Sequence, residues 1–214
     1  MDKGLLQLYA VTDRQWLKDG ETMAQAVEKA IKGGVTLVQL REKHMDTDAF
    51  VKEALDVKKV TDAYNVPLLI DDNLDVCIKC GAAGVHIGQD DISAEEARKI
   101  LGKDKIIGVT AKTVEQAEMA VKMGADYIGS GAMFGSSTKT EAKPMTMEEF
   151  AKIRQAVDLP IVLIGGIDAD NIRELAGSKA QGAAIVSGIF KQDDVEAASR
   201  KLKALSLEVF PPEK

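Results

Sequence analysis

Aromatic side chains are scarce in this sequence, making up 4% of 214 residues, so aliphatic packing must carry whatever core the chain builds. Cysteine is nearly absent. Cys77 and Cys80 stand alone, three apart in a probable helix. A tetrahedral metal site would want a second pair, and a redox pair would want a thioredoxin-like context, so two buried thiols on one helix face are expected. Histidine occurs twice, as His44 and His86, and never after position 86. With no Gly-x-Ser-x-Gly elbow either, serine nucleophile chemistry lacks both its turn and its base. His44 is expected in a solvated loop, and His86 as a packed side chain rather than a metal ligand.

Positive charge is not in excess: the formal net charge is -6. Nucleic acid or an anionic membrane surface is therefore disfavoured as the main partner, although a local basic pocket is allowed. No stretch approaches the roughly 18 apolar residues of a membrane span. Met1-Asp2-Lys3-Gly4 lacks the charged-then-apolar pattern of a leader, and the chain reads as cytoplasmic. No linker or low-complexity segment divides it, so residues 1–214 are expected to form one domain; homo-oligomer formation is compatible with such a surface.

What the chain does contain is ordinary for a soluble globular protein, with 45% hydrophobic and 29% charged residues. One arrangement recurs: a helix with apolar spacing of three and four, a glycine, then a short aliphatic run. It appears as Ala30-Ile31-Lys32-Gly33-Gly34 before Val35, and as Ile78-Lys79-Cys80-Gly81 before Gly84. It returns as Val121-Lys122-Met123-Gly124 before Tyr127, and as Lys179-Ala180-Gln181-Gly182 before Ala184. Each glycine is expected to cap its helix in the left-handed conformation, and each run to form a strand buried on both faces. Strands are expected near 5–11, 35–40, 67–71, 84–87, 105–109, 126–130, 160–164 and 183–187, each followed by a helix. Thr22, Asp48, Ser93, Thr113, Thr146 and Asp168 are the expected caps, and Pro67 and Pro160 mark strand entrances. Eight strands alternating with eight helices imply a parallel sheet closed as a (β/α)8 TIM barrel. The competing open, doubly wound sheet would want a Gly-x-Gly-x-x-Gly turn after its first strand, which is missing.

A barrel of this kind gathers its chemistry at the C-terminal ends of its strands, and the polar residues fall there. Thr12-Asp13, Gln39 to Lys43, Asp71-Asp72-Asn73, His86 to Asp91, Thr110-Ala111-Lys112, Gly165-Gly166 and Ser187-Gly188 all follow strand runs. After the sixth strand comes Gly135-Ser136-Ser137-Thr138-Lys139-Thr140, a loop of small residues, hydroxyls and one lysine suited to phosphate. Gly165-Gly166 before a helix capped at Asp168, together with Val186-Ser187-Gly188, has the form of the phosphate cradle that barrels build from their last two loops. Arg41, Lys43 and Lys139 would converge with Asp72 and Asp91 at a second anion site. Cations and carboxylates meeting there suit Mg2+, which takes one or two carboxylates and completes its shell with water and phosphate oxygens. Structural salt bridges are the competing account of the same residues.

Together, Tyr9-Ala10-Val11-Thr12-Asp13, Val38 to Lys43, Gly84-Val85-His86-Ile87-Gly88-Gln89 with Asp91, Gly124 to Gly129, Thr138-Lys139 and Ile164-Gly165-Gly166-Ile167 are specific. The sequence strongly resembles the thiamine phosphate synthases, also called thiamine phosphate pyrophosphorylases, from Leu8 to Ile189. The resemblance implies a TIM-barrel transferase of thiamine biosynthesis. Such an enzyme joins 4-amino-2-methyl-5-(diphosphooxymethyl)pyrimidine to 4-methyl-5-(2-phosphooxyethyl)thiazole, releasing diphosphate by Mg2+-assisted dissociative substitution. By the same likeness Gln39, Leu40, Arg41, Glu42, Lys43, Asp71, Thr110 and Lys139 contact the pyrimidine diphosphate. Arg41, Lys43, Thr110 and Lys139 are the implied catalytic groups, and Asp72 and Asp91 match the magnesium ligands. Ser136, Ser137 and Thr138, with Gly165 or Gly166 and Val186-Ser187, match the thiazole phosphate site.

The chain departs from the family pattern in places. Asp71-Asp72-Asn73 stands where Asn-Asp-Arg is usual, so an amide becomes a carboxylate and one cation is lost. Thr110 replaces a serine and Ser136 a threonine, which keeps both hydroxyls; Gly135 replaces a common proline. The nearest rival is a thiazole tautomerase, a paralogue with a histidine near the strand-five loop, where this chain has Lys112. A non-catalytic sensor of a thiamine precursor would have no need of Arg41, Lys43, Asp72, Asp91 and Lys139 together. A sugar-phosphate isomerase would want a paired base and acid that are not evident.

Overall fold

In the computed structural model, which describes residues 1–135 and 144–212, eight parallel strands close in sequence order into one barrel. They are β1 (Leu8–Val11), β2 (Leu37–Leu40), β3 (Leu68–Asp71), β4 (Gly84–Ile87), β5 (Ile106–Thr110), β6 (Tyr127–Gly131), β7 (Ile161–Ile164) and β8 (Gly182–Ile185). Closure is made where β8 pairs with β1, Ala184 opposite Tyr9. The (β/α)8 expectation holds. Leu5 and Leu6 fall outside β1, in a 3-10 turn over Lys3–Leu6.

The outer layer comprises α1 (Met23–Lys32), α2 (Thr47–Ala63), α3 (Leu74–Cys80), α4 (Ala94–Leu101), α5 (Val114–Lys122), α6 (Met147–Ala156), α7 (Ser187–Phe190) and α8 (Val195–Val209). Thr22, Ser93, Thr113 and Thr146 cap as expected, Thr22 and Thr146 within full capping boxes. Asp48 does not: α2 begins two residues earlier, and Asp46 accepts from the Ala49 amide while Asp48 lies within the first turn. Nor does Asp168 open a long helix. The segment after β7 forms only a 3-10 turn over Ile172–Leu175, whose two buried apolar residues are spaced by three, the period of that tighter helix. Gly81 and Gly124 adopt the left-handed conformation, and after α1 it is Gly34 (φ 103°) rather than Gly33 (φ -77°) that takes positive φ. Gly182 is required by proximity instead: a Cβ there would lie 1.9 Å from the Leu6 carbonyl oxygen.

Two apolar regions result from the alternation of side chains along short strands. Outward-facing residues such as Val38, Leu40, Ile70, Val85, Ile128 and Leu163 pack against the helices in one continuous layer. Inside the barrel a smaller cluster contains Leu6, Tyr9, Val11, Leu37, Leu69, Tyr127, Val162 and Ala184. Burial of each large aliphatic side chain contributes about 1.5–3 kcal/mol. Cys77 and Cys80 are free and buried in the outer layer, as expected; burial raises the Cys77 thiol to about 11, which keeps it protonated and inert. Among the described residues no helix is long and apolar enough to cross a membrane.

The N-terminal end of the barrel is closed by polar contacts. Gln7 Nε2 donates to Ser206 O and Oγ, both at 2.9 Å, and to Phe210 O at 3.1 Å, fastening α8 beneath β1. Arg98 on α4 donates to Lys105 O at 2.5 Å and to Asp126 Oδ2 at 2.7 Å, joining the feet of β5 and β6.

Candidate active site

At the opposite end a cavity of about 400 Å3 opens among the strand termini. Its charged wall comes from β2, β3 and the loop after β4. Period-two alternation from Gln39 carries Arg41 and Lys43 to the cavity, and Thr12 fixes that end of the strand by accepting from the Arg41 amide at 3.0 Å. The Lys43 ammonium lies 2.9 Å from Asp71 Oδ2 and also contacts Asp72. Arg41 Nε lies 3.6 Å from the same Asp71 oxygen. Asp72 is held in the left-handed region (φ 59°), its amide donating to His86 O at 2.9 Å.

Burial works against the Lys43 charge, but Asp72 and Asp71 outweigh it and leave the ammonium above its ordinary value. Asp91 accepts from the Gly88 amide at 2.7 Å. Its carboxyl is pushed up by burial and by the neighbouring Asp72 carboxylate. A carboxyl raised by a neighbouring carboxylate favours a cation between the two. Among the described residues no trio of His, Cys, Asp and Glu converges as an all-protein cage would. A carboxylate pair open to solvent and to ligand oxygens is the donor set that Mg2+ takes, so Asp72 and Asp91 fit that ion.

The wall formed by β7 and β8 carries no charged side chain: Gly165, Gly166, Val186 and Ser187 line it. Both glycines have positive φ, 102° and 66°. A Cβ on Gly166 would stand 2.8 Å from Phe134 O, so a side chain would meet both strain and contact. The helix that begins here is the four-residue α7, not the helix expected at Asp168.

The floor is a run of hydrogen bonds across the barrel. Gln39 Nε2 lies 2.5 Å from Tyr9 Oη, and Tyr9 Oη 2.9 Å from Tyr127 Oη. His86 Nδ1 lies 2.8 Å from Tyr127 Oη, and its Nε2 3.0 Å from Thr110 Oγ1.

A cavity with cations and carboxylates on one wall and bare backbone on the other suits a doubly anionic substrate set, and comparison with known proteins decides the family. The profile described as thiamine monophosphate synthase matches residues 8–189. The chain belongs to that family. A thiamine-phosphate synthase of Ruminiclostridium cellulolyticum is 50% identical over 203 residues, covering 95% of this chain and 94% of the relative. One from Clostridium beijerinckii is 47% identical over 196 residues, covering 92% and 93%. The structure of a thiamine phosphate pyrophosphorylase from Pyrococcus furiosus superposes with a TM-score of 0.88 at 32% identity, covering 97% of this chain and 98% of that one.

Of the positions that family likeness singled out, Gln39, Arg41, Lys43, Asp71, Asp72, Asp91, Thr110, Gly165, Gly166, Val186 and Ser187 all line the one cavity. Leu40 and Glu42 do not. Alternation turns Leu40, fully buried, into the layer under the helices, and turns Glu42 toward Arg14, 3.2 Å away. Ser136, Ser137, Thr138 and Lys139 lie outside the described residues. Asn73, where the thiamine monophosphate synthase pattern usually has arginine, caps α3 by accepting from the Val76 amide at 3.0 Å. His44 is exposed, as expected. The tyrosine pair in the floor escaped sequence reasoning; its signal was that two of only three tyrosines sit within strand runs.

Proposed function

We propose that this protein is a thiamine-phosphate synthase, a transferase that condenses the aminopyrimidine diphosphate with the thiazole phosphate to give thiamine phosphate and diphosphate. The observation that carries this reading is the opposition of two walls in one cavity, Arg41, Lys43, Asp72 and Asp91 facing Gly165, Gly166 and Ser187. A diphosphate leaves carbon as an anion, and cations positioned beforehand lower that barrier without acid catalysis. Arg41 and Lys43 hold the diphosphate oxygens. Asp72 and Asp91 would hold Mg2+, which supplies further charge neutralisation for the leaving group.

The C–O bond breaks with its electron pair going to diphosphate, and the electron-rich aminopyrimidine carries the resulting cation. The thiazole nitrogen lone pair then forms the new C–N bond. Backbone at Gly165-Gly166 and Val186-Ser187 anchors the thiazole phosphate, so both reactants are held by their anionic handles and the encounter becomes effectively intramolecular. Lys139 and the Ser136 to Thr138 hydroxyls belong to this reading through family likeness. The deciding assay mixes the two phosphorylated heterocycles with and without magnesium: diphosphate released in step with thiamine phosphate, and only with the metal, is expected. Binding of both without turnover would leave a precursor sensor instead.

A further inference from the structure

We infer that His86 is a positioning residue, locked in one tautomer by the two barrel tyrosines so that Thr110 turns its hydroxyl hydrogen into the cavity. The inference rests on the proposed synthase reading for its substrate but not for its geometry.

The inferred polarity starts from one fixed donor. An amide nitrogen only donates, so Gln39 Nε2, 2.5 Å from Tyr9 Oη, makes that hydroxyl an acceptor there. Burial holds both phenols well above their ordinary value, so each keeps one proton. In the relay we infer, Tyr9 gives its proton to Tyr127 Oη at 2.9 Å, and Tyr127 gives its own to His86 Nδ1 at 2.8 Å. A neutral imidazole that accepts at Nδ1 carries its proton on Nε2, which donates to Thr110 Oγ1 at 3.0 Å. Thr110, with that oxygen already accepting, has its own hydrogen left for the cavity it lines. Gln39 lines the same cavity, and with an amide hydrogen spent on Tyr9 its carbonyl oxygen is the acceptor it has to offer a ligand.

The barrel is shaped around this chain. Gly108 lies in register with both His86 and Tyr127, and a Cβ on it would fall 2.1 Å from the Tyr127 ring. A Cβ on Gly129 would lie 3.1 Å from His86 Cε1. Two interior positions are thus left empty for the relay. The tyrosine rings meet edge-on, centroids 6.1 Å apart, which fixes their hydroxyls.

One acceptor at Gln39 and one donor at Thr110 match an aminopyrimidine edge, whose amino group donates and whose ring nitrogen accepts. In the opposite sense Tyr9 accepts from both Gln39 and Tyr127, His86 carries its proton on Nδ1, and Thr110 spends its hydrogen on Nε2, leaving none for the cavity. Chain polarity therefore sets which way the heterocycle faces.

His44→Gln leaves His86 as the one imidazole, which makes the test clean. Long-range 1H–15N correlation on this otherwise full-length chain is expected to show a proton on Nε2 and none on Nδ1. A proton on Nδ1, or on both nitrogens, overturns the inference. In kinetics, Tyr127→Phe and Thr110→Val should each raise KM for the pyrimidine diphosphate about tenfold, the loss of one neutral hydrogen bond. Neither should change KM for the thiazole phosphate. Thr110→Ser should restore the parent value, and the double variant should be no worse than either single one. Additive effects, or equal effects on both substrates, would reduce the relay to packing. The tautomer measurement needs neither a variant at the relay nor turnover, so an inactive protein would sink the synthase reading while leaving the relay to be judged.

Discussion

The two ends of the barrel treat polar groups in opposite ways. At the N-terminal end Gln7 spends its amide nitrogen on three acceptors of the last helix turns, and Arg98 spends its guanidinium on Lys105, Gly102, Gly124 and Asp126. At the other end Lys43 is wedged between two carboxylates, and Asp91 is raised by burial and by its neighbour Asp72. Among the described residues the buried oxygens Glu42 Oε1 and Glu53 Oε2 lack a hydrogen bond, and both lie at this end. The difference separates two uses of the same atoms. Satisfied groups stabilise the fold, whereas crowded like charges raise its energy and wait for a ligand to relieve them.

Asp72→Ala breaks the comparison most sharply. It should lower turnover on the order of 10³-fold, the scale of losing one preorganised charge group, while the melting temperature stays near the parent value. Retained turnover, measured as diphosphate release at saturating magnesium, would remove Asp72 from the chemistry. Gln7→Ala is the mirror case. It strands acceptors at Ser206 and Phe210 and should cost about 1–3 kcal/mol in denaturant unfolding, with kcat unchanged where the protein is folded. A drop in kcat without a drop in stability would mean that the two ends are not separable.

How far this division could be read from sequence depends on what sets each contact. The mouth was legible because strand runs ending in Arg41, Asp72 and Gly165 share one polarity, and a closed parallel barrel has only one C-terminal face. Leu40 and Glu42 fall outside the cavity lining because family likeness speaks of a segment, while the pleat sends alternate residues to opposite sides. Asp48 reads as the cap from sequence because an acid suits the first turn as well as the cap, and the boundary is set where Phe50 and Ala54 must face the barrel. The floor from Gln39 to Thr110 was out of reach for another reason: it joins five strands or strand ends through register, and registers are set by packing that no local pattern encodes.

Glu42 gives the smallest and most discriminating test. Burial pushes its carboxyl up to about 7, Arg14 pulls it down, and the adjacent Glu53 carboxylate pushes it up again. The ordinary value in the unfolded chain is 4.5. Between those values the folded protein keeps a proton that the unfolded chain has released, so stability is fully present below about 4.5 and falls as pH rises through about 7. The slope should sit well under the single-proton limit of about 1.4 kcal/mol per pH unit, because Arg14 is half exposed and water screens the pair. Glu42→Gln removes the titration and should flatten the pH dependence of the unfolding midpoint, leaving the variant at least as stable as the parent near neutral pH. If Glu42 acted as Gln7 does, the same substitution would destabilise at every pH. A parent midpoint that does not move across this window would dissolve the contrast between the two ends at this position.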